Sequence, residues 1–154
     1  MKTSIGEVSA YLRKSRIPIR LSCTTKSGWP TIISLWYLYQ NDKLFCATQE
    51  SSHIVTYLRQ NPKCAFEIAA DTPPYCGVRG QAIADINKTL GVDILEKLLV
   101  RYLGGIDNTL AQDLLSKKDH EVAIVLDPIR VYQWNYSNRM QDIITSEQGK
   151  KICP

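Results

Sequence analysis

The hydrophobic period changes several times along the chain, and each change marks an element. Ile5, Val8, Tyr11 and Leu12 share one face of a helix that Ser4 and Glu7 open as a capping box. Pro18 forbids its continuation. Ile19, Leu21 and Cys23 alternate with Arg20, Ser22 and Thr24, the pattern of a strand with one polar face. Residues 26–30 form a turn around Gly28. The next run, 31–39, is apolar on both faces. Ile33, Leu35, Tyr37 and Tyr39 lie on one side, and Ile32, Trp36 and Leu38, with Ser34, on the other. In an antiparallel setting this predicts a barrel wall whose outside is covered by a helix or by a second subunit.

Asn41 and Asp42 turn the chain into a strand over 43–48. A helix over about 52–61 packs through Ile54, Tyr57 and Leu58 and ends before Pro62. A strand over 63–69 follows, and Pro73 and Pro74 interrupt the pattern. Residues 75–86 read as a long strand in which Gly77 and Gly80 predict bulges or strong bending. A helix over about 90–103 buries Leu90, Ile94, Leu95, Leu98, Leu99 and Tyr102, turns Asp93, Lys97 and Arg101 outward, and stops at Gly104. A short helix over 110–115 precedes two closing strands, 122–126 and 129–136, separated by Asp127 and Pro128. A polar tail begins at about residue 143. The total is about seven strands and three or four helices. That is a single α+β domain over 1–154, mainly antiparallel β, a barrel with flanking helices.

Composition narrows the function classes. With 154 residues, 44% apolar and 22% charged, the chain reads as an ordinary soluble domain. The longest mostly apolar run, 32–39, is far short of the roughly 20 residues of a membrane span. The first residues have no apolar secretory core. The formal charge is +4, but the Lys and Arg residues are dispersed, without the basic stripe of a nucleic-acid binder. The five cysteines include no C-x-x-C pair, and Cys23, Cys46 and Cys64 fall inside strands. They read as reduced core thiols of a cytoplasmic protein. His53 and His120 have no cysteine at ligand spacing, so no metal is expected.

No nucleophile elbow, P-loop or dinucleotide fingerprint is present. Chemistry concentrates at residues 48–53, where a strand feeds a helix. The first turn of a helix offers unpaired N–H groups and a positive dipole end, which suit a phosphate. Ser51 and Ser52 add hydroxyls, and His53 adds a donor that charges near neutral pH. The simpler reading is that Ser51 or Ser52 only caps the helix.

Several segments occur in one order: Gly28-Trp-Pro30, Ile33-Ser-Leu-Trp-Tyr37, Leu44-Phe-Cys-Ala-Thr48, Ser52 through Leu58, Arg59-Gln-Asn-Pro62 and Val78-Arg-Gly-Gln-Ala82. Together they resemble the pyridoxamine 5'-phosphate oxidase-related family of FMN-binding split β-barrels, and residues 129–134 resemble its closing strand. The resemblance implies a homodimer with FMN in grooves between subunits and a small-molecule substrate. It places Ser34, Leu35, Trp36 and Tyr37 beside the flavin ring. Ala47, Thr48, Ser51, Ser52 and His53 would hold ribityl and phosphate groups, and Tyr75, Arg79 and Trp134 would lie near the same groove, partly from the other subunit. Trp36 has a competing reading as core, Arg79 as a solvated strand residue, and Trp134 as a closure of the dimer interface.

Two departures matter. The family's basic residue early in the helix falls on Ile54 or on His53, leaving His53 or Arg79 as the anion anchor. The true oxidases end in a pattern like W-x5-R-L-H-D-R, whereas here Trp134 is followed at shorter spacing by Arg139, with Gln141 and Ile143 in place of the histidine and last arginine. Vitamin B6 oxidation is therefore not expected. What the resemblance implies is a flavin-dependent oxidoreductase working by hydride transfer. The alternatives are a deazaflavin-dependent reductase on the same fold and a non-catalytic flavin-binding or stress-related dimer.

Overall fold

The computed structural model describes residues 1–143 and 153–154. Eight strands form one sheet in which every pairing is antiparallel: β1 (Lys2–Thr3), β2 (Ile19–Thr24), β3 (Pro30–Leu35), β4 (Leu38–Gln40), β5 (Lys43–Gln49), β6 (Lys63–Ala69), β7 (Cys76–Asn87) and β8 (Glu121–Asn135). The order is β3-β2-β6-β7-β8-β5-β4, with β1 added beside β8. The two ends of this path, β3 and β4, are joined by Trp36 and Tyr37 alone. A two-residue joint spans about 10 Å at most, so the sheet has to curl until its edges meet. They meet without pairing, and the barrel is split there.

Four helices surround it: α1 (Ser9–Lys14), α2 (His53–Gln60), α3 (Gly91–Leu103) and α4 (Thr109–Leu115). The capping box is present ahead of α1. The Ser4 N–H donates to Glu7 Oε2 at 2.7 Å, and the Glu7 N–H donates to Ser4 Oγ at 3.4 Å. The Asn41–Asp42 turn has φ of 50° and 57°, the left-handed pair of a tight hairpin. Leu21, Leu44, Cys46, Phe66, Val78, Ile124 and Leu126 fill the barrel. The outward residues of β5 and β8, Phe45, Ala47, Ala123 and Val125, pack under Ile94 and Leu98 of α3. This accounts for the two-sided apolar run. Its second half, Trp36 and Leu38, is covered by α3, while Ile32 in its first half remains 69% exposed.

Several expectations are corrected. The run 31–39 is two strands, because the chain turns at Trp36–Tyr37 to change edges. Conversely, 121–135 is one strand. Pro128 sits at a bulge, where Gln81 pairs with Arg130 and Ala82 with Pro128, so its missing N–H breaks no ladder. Gly77 and Gly80 precede that bulge and serve close packing instead. A Cβ on Gly80 would lie 2.4 Å from the Arg130 carbonyl oxygen. Cys76 and Cys153 form a disulfide, while Cys23, Cys46 and Cys64 are free and buried. The pairing removes the cysteine-based reason for a reducing compartment. Residues 144–152, most of the expected polar tail, lie outside the described residues. No described helix is long and apolar enough to cross a membrane.

Arg101 does not point outward. Its Nη1 donates to the Arg13 carbonyl at 2.7 Å, and its Nη2 donates to the carbonyls of Leu12, at 3.1 Å, and Ser15. These are the orphan acceptors at the end of α1, and a cation there also meets the negative end of the helix dipole. The same guanidinium lies 5.3 Å from the Tyr37 ring centroid. Replacing it with leucine keeps much of the stem but strips charged donors from three carbonyls. Arg101→Leu is expected to lower the unfolding free energy by about 1.5–3 kcal/mol, read from urea unfolding. A loss under ~0.5 kcal/mol would mean that water caps α1 equally well.

Candidate functional site

The split opens outward as a recess of about 450 Å³. Ser34, Leu35 and Trp36 form one wall and Ala47, Thr48 and Gln49 the other, with Leu95 and Leu98 of α3 and Leu114 of α4 above. Five of the residues singled out in the sequence, Ser34, Leu35, Trp36, Ala47 and Thr48, are thus brought together. Trp36 is both core and wall: one face stacks on Tyr102 with centroids 5.1 Å apart and planes 7° apart, and the residue also lines the recess. Tyr37 is not in that wall. Its side chain is fully buried, and its hydroxyl donates to the carbonyls of Leu12, at 2.8 Å, and Ser15, at 3.1 Å. It fastens the joint instead of facing a ligand.

Ser51, Ser52 and His53 stand at the start of α2, which β5 delivers. Ser51 and His53 are exposed, and the His53 ring stacks with Tyr57 at 6.1 Å. Ser52 is the N-cap by backbone, yet its hydroxyl caps nothing. Ser52 Oγ is buried and has no hydrogen-bond partner among the described residues. A buried hydroxyl left unpaired is uncommon and calls for a cause. Ile54 is buried in the core and offers no charge here. Just before the helix, Glu50 holds Arg59 at 2.7 Å and Lys88 at 3.0 Å, and these two partners hold its carboxyl below the ordinary carboxylate value. Two cations against one carboxylate leave this corner net positive.

Arg79 stands on the outer face of the sheet. Pairing register places Ser34, Arg20, Glu67, Arg79 and Tyr132 in one row across β3, β2, β6, β7 and β8. Ser34 and Arg79 are three strand spacings apart, about 14 Å. A shallow groove of about 380 Å³ runs there between Arg20, Ile32, Glu67, Arg79, Arg130 and Tyr132. Trp134 lies further along the same sheet, and Tyr75 just ahead of β7. Trp134 Nε1 is buried and unpaired among the described residues, and its ring is tilted against Tyr136. Tyr75, Arg79 and Trp134 therefore do not converge on the recess within one chain.

Three polar lining residues were not among the expected site residues: Gln49, Lys117 and above all Glu121. Glu121 is only 7% exposed. The Gln49 side-chain amide donates to its carboxylate and to the Lys117 carbonyl. Burial raises the Glu121 carboxyl above its ordinary value, and the hydrogen bond from Gln49 opposes this. Gly91 lets α3 begin against this residue, since a Cβ there would lie 2.1 Å from the Glu121 carbonyl oxygen. In the sequence, Glu121 falls just ahead of the strand expected at 122–126 and carries no local signal of burial.

No model of a known protein family matches the sequence, and no curated protein matches it. Solved structures do. The chain is similar to Rv2991 from Mycobacterium tuberculosis, with TM-score 0.73 and 20% identity over 93% of this chain and 90% of that one. It is similar to an F420 reductase, with TM-score 0.67 and 20% identity over 79% and 94%. A Listeria innocua protein provisionally described as a pyridoxamine 5'-phosphate oxidase matches with TM-score 0.64 and 15% identity over 84% and 96%. The chain has the pyridoxamine 5'-phosphate oxidase-like split-barrel fold. In split-barrel terms, the recess sits where the sheet edges meet and the arginine row lies on the outer wall.

A carboxyl whose value is raised by folding destabilises the native state once the unfolded chain ionises. The cost is absent below its ordinary value of 4.5, grows as pH rises through that value, and levels off above the raised one. Glu121→Gln is therefore expected to be more stable than the parent at neutral pH. The advantage should fade as pH falls toward 4.5, measured as urea midpoints of both proteins. A constant difference across that range would contradict the assignment.

Proposed function

We propose that the protein binds a flavin-type cofactor at the split and acts as an oxidoreductase by hydride transfer. The observation that carries this reading is the recess itself: Ser34, Leu35, Trp36, Ala47 and Thr48 converge on one cavity of a split barrel. The apolar wall suits a planar ring, and Ser34 and Thr48 supply polar atoms at its edge. The net-positive start of α2, with Ser51 and His53 exposed, suits the anionic end of the cofactor. When bound, the cofactor would supply the hydride-accepting ring; the chain positions it, excludes water under α3 and α4, and sets the charge around it. FMN is the first choice. A deazaflavin is the second reading, because it would occupy a similar groove and one structural relative bears the name F420 reductase.

We further propose that the functional unit is a homodimer formed through the outer face. Ile32 and Ile129 are 69% and 60% exposed there. Ile32 lines one outer groove and Ile129 its neighbour, and both grooves share Ser22, Ala65, Gln81 and Arg130. Apolar exposure on a continuous face suits an interface. A second copy on that face would bring its own Arg79 toward the recess, supplying the cation that one chain holds about 14 Å away.

The purified protein is expected to be a dimer by light scattering and to show a flavin or deazaflavin absorbance band, with mass spectrometry of the released ligand deciding which. Loss of the band on adding a nicotinamide donor would favour an enzyme over a storage or stress role. A colourless protein that takes up neither FMN nor deazaflavin overturns the reading. Ser52→Ala is expected to weaken cofactor binding by about 1.5–3 kcal/mol with the fold retained. Unchanged affinity would remove Ser52 from the site.

A further inference from the structure

The recess has one strongly polar end, and that end is an acid without a counter-ion. Gln49 is the one hydrogen-bond donor to the Glu121 carboxylate among the described residues. The rest of the lining carries no free charge: besides the Ser34 and Thr48 hydroxyls it is apolar, or its charge is already paired. α3 contributes Leu95 and Leu98, α4 contributes Leu114, and β3 contributes Leu35 and Trp36 with Ser34. Lys117 reaches the recess from the turn after α4, but its ammonium pairs with Asp113 at 3.3 Å. Lys118, Asp119 and His120 are exposed on the 3-10 turn ahead of β8. Counting the ionised groups that face one another, Glu121 and Asp113 oppose Lys117, which leaves one negative charge in excess.

A desolvated carboxylate with a single neutral donor is unfavourable by itself and gains most from a cation with N–H donors. An anionic ligand would meet Glu121 head-on. A wholly apolar ligand would cover the carboxylate without pairing it. We propose that the Glu121 end of the recess, beside the cofactor ring, accepts a small apolar molecule bearing one protonated amine, held by the Glu121 carboxylate while the leucines of α3 and α4 cover its apolar body. This names a substrate class for the site described above and rests on that reading of the recess. Gln49 is then a positioning residue. Its amide is oriented by the Lys117 carbonyl, at 3.3 Å, and presents the carboxylate to the cavity.

The test uses benzylamine, benzyl alcohol and benzoate as probes of equal bulk, titrated into the full chain by ligand-observed NMR at neutral pH. Benzylamine is expected to bind at least about tenfold more tightly than either other probe. In Glu121→Gln that preference is expected to collapse, with benzyl alcohol affinity little changed. Equal affinities in the parent, or a preference for benzoate, overturn the proposal even if the variant fails to fold. A preference for benzylamine that survives Glu121→Gln also overturns it, because the amine then sits elsewhere. The absorbance spectrum of the same preparation decides the cofactor question separately. Amine preference without a flavin overturns only the cofactor reading, and a flavin without amine preference overturns only this one.

Discussion

Everything in this fold depends on a two-residue joint. Trp36 and Tyr37 carry the chain from one edge of the sheet to the other, so the eight-stranded sheet has to close around them. The closure is fastened from both sides. Inside, the Tyr37 hydroxyl and the Arg101 guanidinium converge on the carbonyls that end α1. Outside, Trp36 lies flat on Tyr102 of α3. Arg101 and Tyr102 are neighbours on one helix, so α3 holds the joint on two faces at once. Because β3 and β4 meet without pairing, a gap remains, and the recess occupies it.

The electrostatics at the corner where β5 ends and β8 begins follow from how much water each group keeps. Glu50 sits at the surface with two cations and is held ionised. Glu121, opposite Gln49 in register, is covered by α3 and has only an amide. Two glutamates near the same corner are thereby given different tasks: one organises cations beside the start of α2, and the other waits for a partner inside the recess. The same burial raises the thiols. Cys64 is pushed up to about 12 by desolvation, and Cys46 further still. The three free cysteines therefore act as packing groups, not nucleophiles.

The outer face completes the picture. A row of alternating charge, Arg20, Glu67 and Arg79, crosses the strands next to the exposed Ile32. Within one chain this row is too far from the recess to share a small ligand with it. Apolar exposure and charge on that face therefore acquire a common purpose only if the face is covered.

Local pattern alone determined most of the strands and helices, where the hairpin turns and how α1 begins, because periodicity, capping and turn chemistry act within a few residues; it did not divide 31–39 into two strands or join 121–135 into one. Ser34, Leu35, Trp36, Ala47 and Thr48 are picked out by the resemblance to the split-barrel family and not by the local pattern, which puts Leu35 on the opposite strand face from Ser34 and Trp36. Tyr37, Arg101, Glu121 and the Cys76–Cys153 bond escaped it. Tyr37 reads as one more residue of a continuous strand until the sheet order shows that the chain changes edges there. Arg101 occupies the polar stripe of its helix, and its carbonyl partners are 86 to 89 residues away. Glu121 falls just ahead of the expected strand with nothing nearby in sequence to mark it, and α3 begins at Gly91 directly against it. Cys76 and Cys153 are 77 residues apart, a separation at which no local pattern carries information. Propensity and period fix each segment from its neighbours in sequence. Burial, pairing and charge state are fixed by neighbours in space, and those belong to the closed sheet.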